Sequence, residues 1–143
     1  MKFMLIVKAT PETEAGEMPD TELLTAMGAY NEELVRAGVL LGGEGLHPSV
    51  RGARVHFDGR DRRVVDGPFA ETRELIAGFW LIQARSLDEA VEWVKRVPNL
   101  QGAQGQIEIR QLFDPADFGE ALTPELRAAE DHLREQVAAG RPG

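Results

Sequence analysis

The order of hydrophobic patterns predicts an α+β domain: strand, helix, strand, strand, helix, strand, with a β-hairpin inserted at the centre. Three observations carry this. Two short segments, 2–8 and 76–84, are apolar on both faces and read as strands that must be covered twice. Two helical stripes, each opened by capping residues, lie between strand-like runs. A stretch alternating apolar with basic residues turns about Asp58-Gly59.

In the first strand Phe3, Leu5 and Val7 share one face and Met4 and Ile6 the other. The segment PDTELLTAMGAYNEELVRAG is a helix capped by Asp20 or Thr21, with Leu23, Met27, Tyr30 and Leu34 at helical spacing and Gly38 placed for a left-handed end. A short strand over 39–41 precedes the Gly-rich GGEGLHPS. The hairpin ARVHFDGRDRRVVDG follows, with Ala53, Val55 and Phe57 turned toward a core. In strand 76–84, Ile76, Trp80 and Ile82 oppose Ala77, Phe79 and Leu81. Ser86-Leu87-Asp88-Glu89 then reads as a capping box, in which serine and glutamate satisfy each other's backbone amides. Leu87, Ala90, Val91, Val94 and Val97 form the stripe of this helix, and Pro98 stops it. QIEIRQLF alternates strictly and reads as an edge strand.

The sequence of elements is the ferredoxin-like βαββαβ plan plus one hairpin. Its two helices lie on one face of the sheet, so the other apolar face needs a second cover. The C-terminal helix TPELRAAEDHLREQV, with only Leu126, Ala129, Leu133 and Val137 on its stripe, is too thin for that. A second copy of the sheet is the economical answer, which makes a homodimer, a dimeric α+β barrel, the expected assembly. The expected division is a domain over 1–114 and a helical extension over 115–143.

The 143 residues suffice for one core without staples. With 24 acidic and 16 basic residues the net charge is -8, which disfavours nucleic acid and anionic membrane as partners. Cysteine is absent, which excludes disulfides, Cys-ligated metals and thiol nucleophiles together. The start MKFMLIVKAT is shorter than a signal-peptide core, so the cytoplasm is the expected compartment.

At VVDGPFAETRE the chain resembles the YCII-related family, in the branch named for its Asp-Gly-Pro-Phe motif. The helix end from Tyr30 to Gly38, GGEGLHPS, the hairpin, GFWLIQARSLDEAVEW and IEIRQLF support the resemblance, which covers roughly residues 1–114. It implies a ferredoxin-like subunit in a dimeric barrel, with a cleft near the dimer seam. Some members carry a histidine on the first helix and an aspartate after the second. Here the corresponding positions fall near Met27 and at Pro98-Asn99, so that dyad is missing.

The residues themselves offer two loops as the walls of a site for a small polar or anionic molecule. In the Asp66-Gly67-Pro68-Phe69 turn, Asp66 is placed to accept from downstream amides, Gly67 relieves the constraint set by Pro68, and Phe69 is expected to drop into the core. Glu71 and Glu74 flank Arg73, which would keep the carboxylates ionised and offer an anion a fork. In the Gly-rich loop, Gly42, Gly43 and Gly45 admit close backbone approach, and His47 beside Glu44 has the chemistry of a general base. Catalysis, if present, is cofactor-free acid/base work by Asp66 or His47 with Arg73 stabilising negative charge. Glu71, Arg73, Glu44 and Tyr30 are the ligand-contacting candidates. Exposed charge beside a loop, and a merely exposed histidine, are the structural alternatives.

No cofactor and no metal are expected, because His47, His56 and His132 have no ligand spacing. Arg51, Arg54, Arg60, Arg62 and Arg63 against Asp58 and Asp61 give the hairpin region +3. Nucleic acid, an acidic partner surface or an anionic ligand could use that charge, although no aromatic but the core-facing Phe57 interleaves to stack bases; the alternative is an edge guarded against aggregation. The acidic ATPETEAGEMP is a lid over the cleft or a solvated connection. Ser49 lies in no nucleophile elbow, and Ser86 is committed to its cap.

Overall fold

The computed structural model describes residues 1–99 and 104–140, in two compact units, Met1–Leu112 and Phe113–Gly143. In chain order the elements are β1 (Lys2–Lys8), α1 (Pro11–Glu14), α2 (Thr21–Arg36), β2 (Leu40–Gly45), β3 (Ala53–Asp58), β4 (Asp61–Asp66), β5 (Ile76–Gln83), α3 (Leu87–Lys95), β6 (Ile107–Gln111) and α4 (Pro124–Ala138).

Four strands form an antiparallel sheet in the order β2-β5-β1-β6. That is the ferredoxin-like order, with β5 inserted between the parallel β1 and β2, as expected. Alternation sets the two faces. Phe3, Leu5 and Ile82 are fully buried against Tyr30 and Leu34 of α2 and Ala90 of α3, so α2 and α3 cover the same face. Burying such a side chain contributes about 1.5–3 kcal/mol each. Tyr30 stacks edge-on against Trp80 at 5.6 Å and donates from its hydroxyl to the Trp93 carbonyl at 2.8 Å, which ties α2 to α3. Burial pushes the Tyr30 phenol up to about 12.

The predicted boundaries change in three places. β2 runs on through the Gly-rich segment to Gly45, because β5 is long enough to pair with it and Gly43 fits beside Phe79 and Trp80. The hairpin β3–β4 stands as its own two-stranded sheet, so Phe57, expected to face the core, is 71% exposed and packs under the Arg62 guanidinium at 4.4 Å. At α3 the Ser86 hydroxyl accepts from the Glu89 amide as expected. The Glu89 carboxylate, however, reaches one residue further, to the Arg85 amide and guanidinium, and those bonds hold it below the usual carboxylate range. The helix ends at Lys95, before Val97, and Leu87 is exposed.

In the second unit Thr123 caps α4 by accepting from the Leu126 amide, and Phe113 packs on Phe118. Leu126, Leu133 and Val137 on its stripe are exposed. Among the described residues no helix is long and apolar enough to cross a membrane.

Candidate functional site

A cleft of about 640 Å³ opens on the helix-bearing side of the sheet within the first unit. Its floor is Val7 of β1 with Trp80 of β5, which share the face of Phe3, Leu5 and Ile82. One wall is α2, through Leu23, Leu24, Met27 and Asn31; the other is β2 and its continuation to Pro48. The acidic segment after β1 forms the third side, with Thr13 and the run Gly16 to Pro19. Met27, near the position where the family resemblance puts a histidine, offers the cleft a thioether.

Polar groups in the cleft are few, and several are already engaged. Trp80 Nε1 donates to Asn31 Oδ1 at 2.9 Å, which fixes the indole in the floor. Thr13 is spent on the capping box of α1 with Thr10. Arg51 Nη1 lies 2.9 Å from Nε2 and 3.3 Å from Nδ1 of His47, so the guanidinium engages the imidazole. Glu17 and Glu44 are the carboxylates of the lining, and no lysine or arginine joins them among the described residues.

Of the residues singled out from sequence, Glu44 and His47 line the cleft; Asp66, Glu71, Arg73 and Tyr30 do not. Tyr30 lies beneath it, its hydroxyl committed to Trp93. Glu71 and Arg73 are exposed on and beside a 3-10 turn over Thr72–Glu74, and among the described residues Arg73 makes no ion pair. The expected carboxylate fork is not assembled.

The Asp-Gly-Pro-Phe turn is held by a residue that sequence reasoning set aside. The Phe69 amide donates to Ser49 Oγ at 3.0 Å, rather than to Asp66. A Cβ at Gly67 would run into the Ser49 carbonyl, and the Gly67 amide donates to the Gly52 carbonyl at 2.9 Å. Glycine is therefore required here for close backbone approach, and the Gly67-Pro68 bond is cis. Phe69 stays half-buried beneath the Arg54 guanidinium, 3.9 Å from its ring, instead of entering the core. Ser49 in turn donates twice to Glu14, from its amide to Oε1 at 2.9 Å and from its hydroxyl to Oε2 at 2.6 Å. The signal in the sequence was the short Pro48-Ser49 turn lying between two glycine-containing segments, but nothing local names its partners.

Among the described residues no group of three or more His, Asp and Glu could hold a metal ion. What the geometry offers is an apolar cavity with an acidic edge, on a ferredoxin-like α+β domain. The chain belongs to the YCII-related domain family, whose model matches residues 1–115. It is 34% identical over 93 residues to "Uncharacterized protein R00369" of Rhizobium meliloti (strain 1021), covering 65% of this chain and 75% of that one. Among solved structures it is similar to 5-chloro-2-hydroxyhydroquinone dehydrochlorinase (TftG) from Burkholderia phenoliruptrix AC1100, in complex with 2,5-dihydroxybenzoquinone, at 17% identity and a TM-score of 0.44, covering 79% of this chain and 94% of that chain.

Proposed function

We propose that this protein, of the Asp-Gly-Pro-Phe branch of its family, is a homodimer that binds a small molecule with an apolar body and a neutral or cationic polar edge. The observation that carries the reading is the composition of the cleft: apolar side chains and the Trp80 indole, with Glu17 and Glu44 but no lysine or arginine. An anionic ligand was tied to Arg73, which lies outside that lining. A proton transfer on the bound molecule falls to Glu17, since His47 is engaged by Arg51 and Glu44 shares the opposite face of the sheet with Phe79. The dimer forms through the face opposite the helices, where Met4 pairs with Leu81 and Ile6 with Phe79. Glu44 pairs with Phe79 on that same face, and both reach the cleft, which supports a cleft near the dimer seam.

A thermal-shift screen of matched neutral, cationic and anionic aromatic compounds tests this. A ligand at about 100 times its Kd adds about 2.7 kcal/mol, roughly 10 °C in Tm. Neutral or cationic hits that vanish in Leu24→Arg, at unchanged Tm of the free protein, are the expected result. Hits confined to anions, or hits indifferent to Leu24→Arg, would refute it.

The second reading, a protein-interaction or regulatory module without catalysis, is favoured by the hairpin. Val55 and Val64 pair across it beside Phe57, and all three are exposed. A lone two-stranded hairpin is marginal in water and gains from a partner. A blank ligand screen together with binding to a protein partner that Phe57→Glu removes would select it.

A further inference from the structure

The segment between Ala9 and Asp20 is fixed at both ends, by the Ala9 amide on the Leu75 carbonyl at 2.9 Å and by Asp20 as N-cap of α2. Between those anchors it carries the four-residue α1, which has no buried residue, and Gly16 in the left-handed region at φ 89°. Among the described residues, hydrogen bonds join the stretch 10–19 to the rest of the fold at one place. Those bonds are the two from Ser49 to Glu14. Immediately beyond that tie, Gly16, Glu17, Met18 and Pro19 form a wall of the cleft.

We propose that this segment is a hinged cover of the cleft, latched shut by the two-pronged Glu14–Ser49 contact, with the Asp-Gly-Pro-Phe turn as the seat of the latch. The inference rests on reading the cleft as a binding site and adds its regulation. Ser49 can grip both carboxylate oxygens only while its amide and its hydroxyl point the same way. The turn enforces that by donating the Phe69 amide to the free lone pair of the hydroxyl and by packing Gly67 against the Ser49 carbonyl. The Asp-Gly-Pro-Phe loop thus acts on the cleft from outside its lining. Pivoting at Gly16 with the two contacts broken uncovers Trp80 while leaving the sheet intact.

Two measurements on the full chain test this without any ligand. Hydrogen exchange reports the amides of Glu14, Ala15, Gly16 and Glu17, which are bonded only within the segment. A four-residue helix is not stable without its tertiary tie, so those amides lose protection when the latch opens. Acrylamide quenching of Trp80, in a Trp93→Phe background that leaves one tryptophan, reports access to the cleft floor. Glu14→Ala and Ser49→Ala are expected to speed exchange at those four amides by about 10-fold or more, with the β1 and β5 amides unchanged. Both should also raise the quenching of Trp80, and Ser49→Thr should behave as the native protein. Unchanged protection in Glu14→Ala would overturn the proposal, as would faster exchange with no change in quenching. Should Ser49→Ala fail to fold, Glu14→Ala decides alone. A blank ligand screen refutes the binding reading and leaves these two readouts as they are, so the two failures are told apart.

Discussion

Gly67 and Asp66 are neighbours in one motif with opposite expected sensitivities. A methyl at Gly67 collides with the Ser49 carbonyl, so Gly67→Ala is expected to cost about 1–3 kcal/mol in urea unfolding, as overpacking does. The Asp66 carboxylate makes no hydrogen bond or ion pair among the described residues and lies outside the cleft lining, so Asp66→Asn should change neither stability nor ligand affinity. Equal losses in both variants would mean that the turn binds through its aspartate. Tyr30, the one tyrosine, gives a second test at this scale. Its folded value of about 12 lies above the ~10 of an unfolded chain, so the folded state holds the phenolic proton more tightly. Stability from this group is therefore complete below pH ~10 and lost as pH rises toward 12. Absorbance of tyrosinate should stay flat until the protein begins to unfold; a free titration near pH 10 in the folded protein would contradict the buried, bonded hydroxyl.

At the scale of elements, the differences between expectation and structure concern which surface a strand or turn meets and where an element ends. The alternation of Ala53, Val55 and Phe57 is real, since these residues share one side of the hairpin, but β3–β4 leaves the four-stranded sheet, and its apolar side meets no core. β2 outruns its predicted length because the ladder to β5 continues where local sequence reads as loop. The C-terminal element gives the prediction proper to this scale. The βαββαβ plan closes at Gln111, and the Leu112 amide already donates to the Lys2 carbonyl. A chain ending after Asp114 should keep a cooperative melt and the native far-ultraviolet signal. A molten or insoluble product would assign the extension over 115–143 a role in the core.

For the whole molecule, the open question is what covers the second face of the sheet. Met4, Ile6, Phe79 and Leu81 are half-buried there, and α2 and α3 pack on the other side. Light scattering at micromolar concentration is expected to give twice the 15.7 kDa of one chain, and Leu81→Glu to halve that mass. A folded native monomer would leave this face exposed and refute the dimer. Net charge of -8 keeps such a surface from associating indiscriminately, while the +3 hairpin region remains the local exception.

Periodicity, caps and punctuation are local properties, and the sequence alone was enough to fix what depends on them. The two doubly apolar strands, the Asp20 and Ser86 caps, the left-handed Gly38, the Asp58-Gly59 turn and the βαββαβ order could all be read directly. The lining of the cleft could be read only in part. Glu44 and His47 were legible because a glycine-rich run marks where backbone and ligand can approach, whereas Asp66, Glu71 and Arg73 drew attention by charge density, which says nothing about direction. Glu14 and Ser49, 35 positions apart, and Ser49 and Phe69, 20 apart, meet only when the β2–β5 connection folds back beside the segment after β1. No single-residue propensity encodes such a meeting, because hydrogen bonds across that separation follow from the packed positions of whole elements. Tertiary structure alone decided that the Asp-Gly-Pro-Phe turn lies outside the cleft lining and meets Ser49 instead.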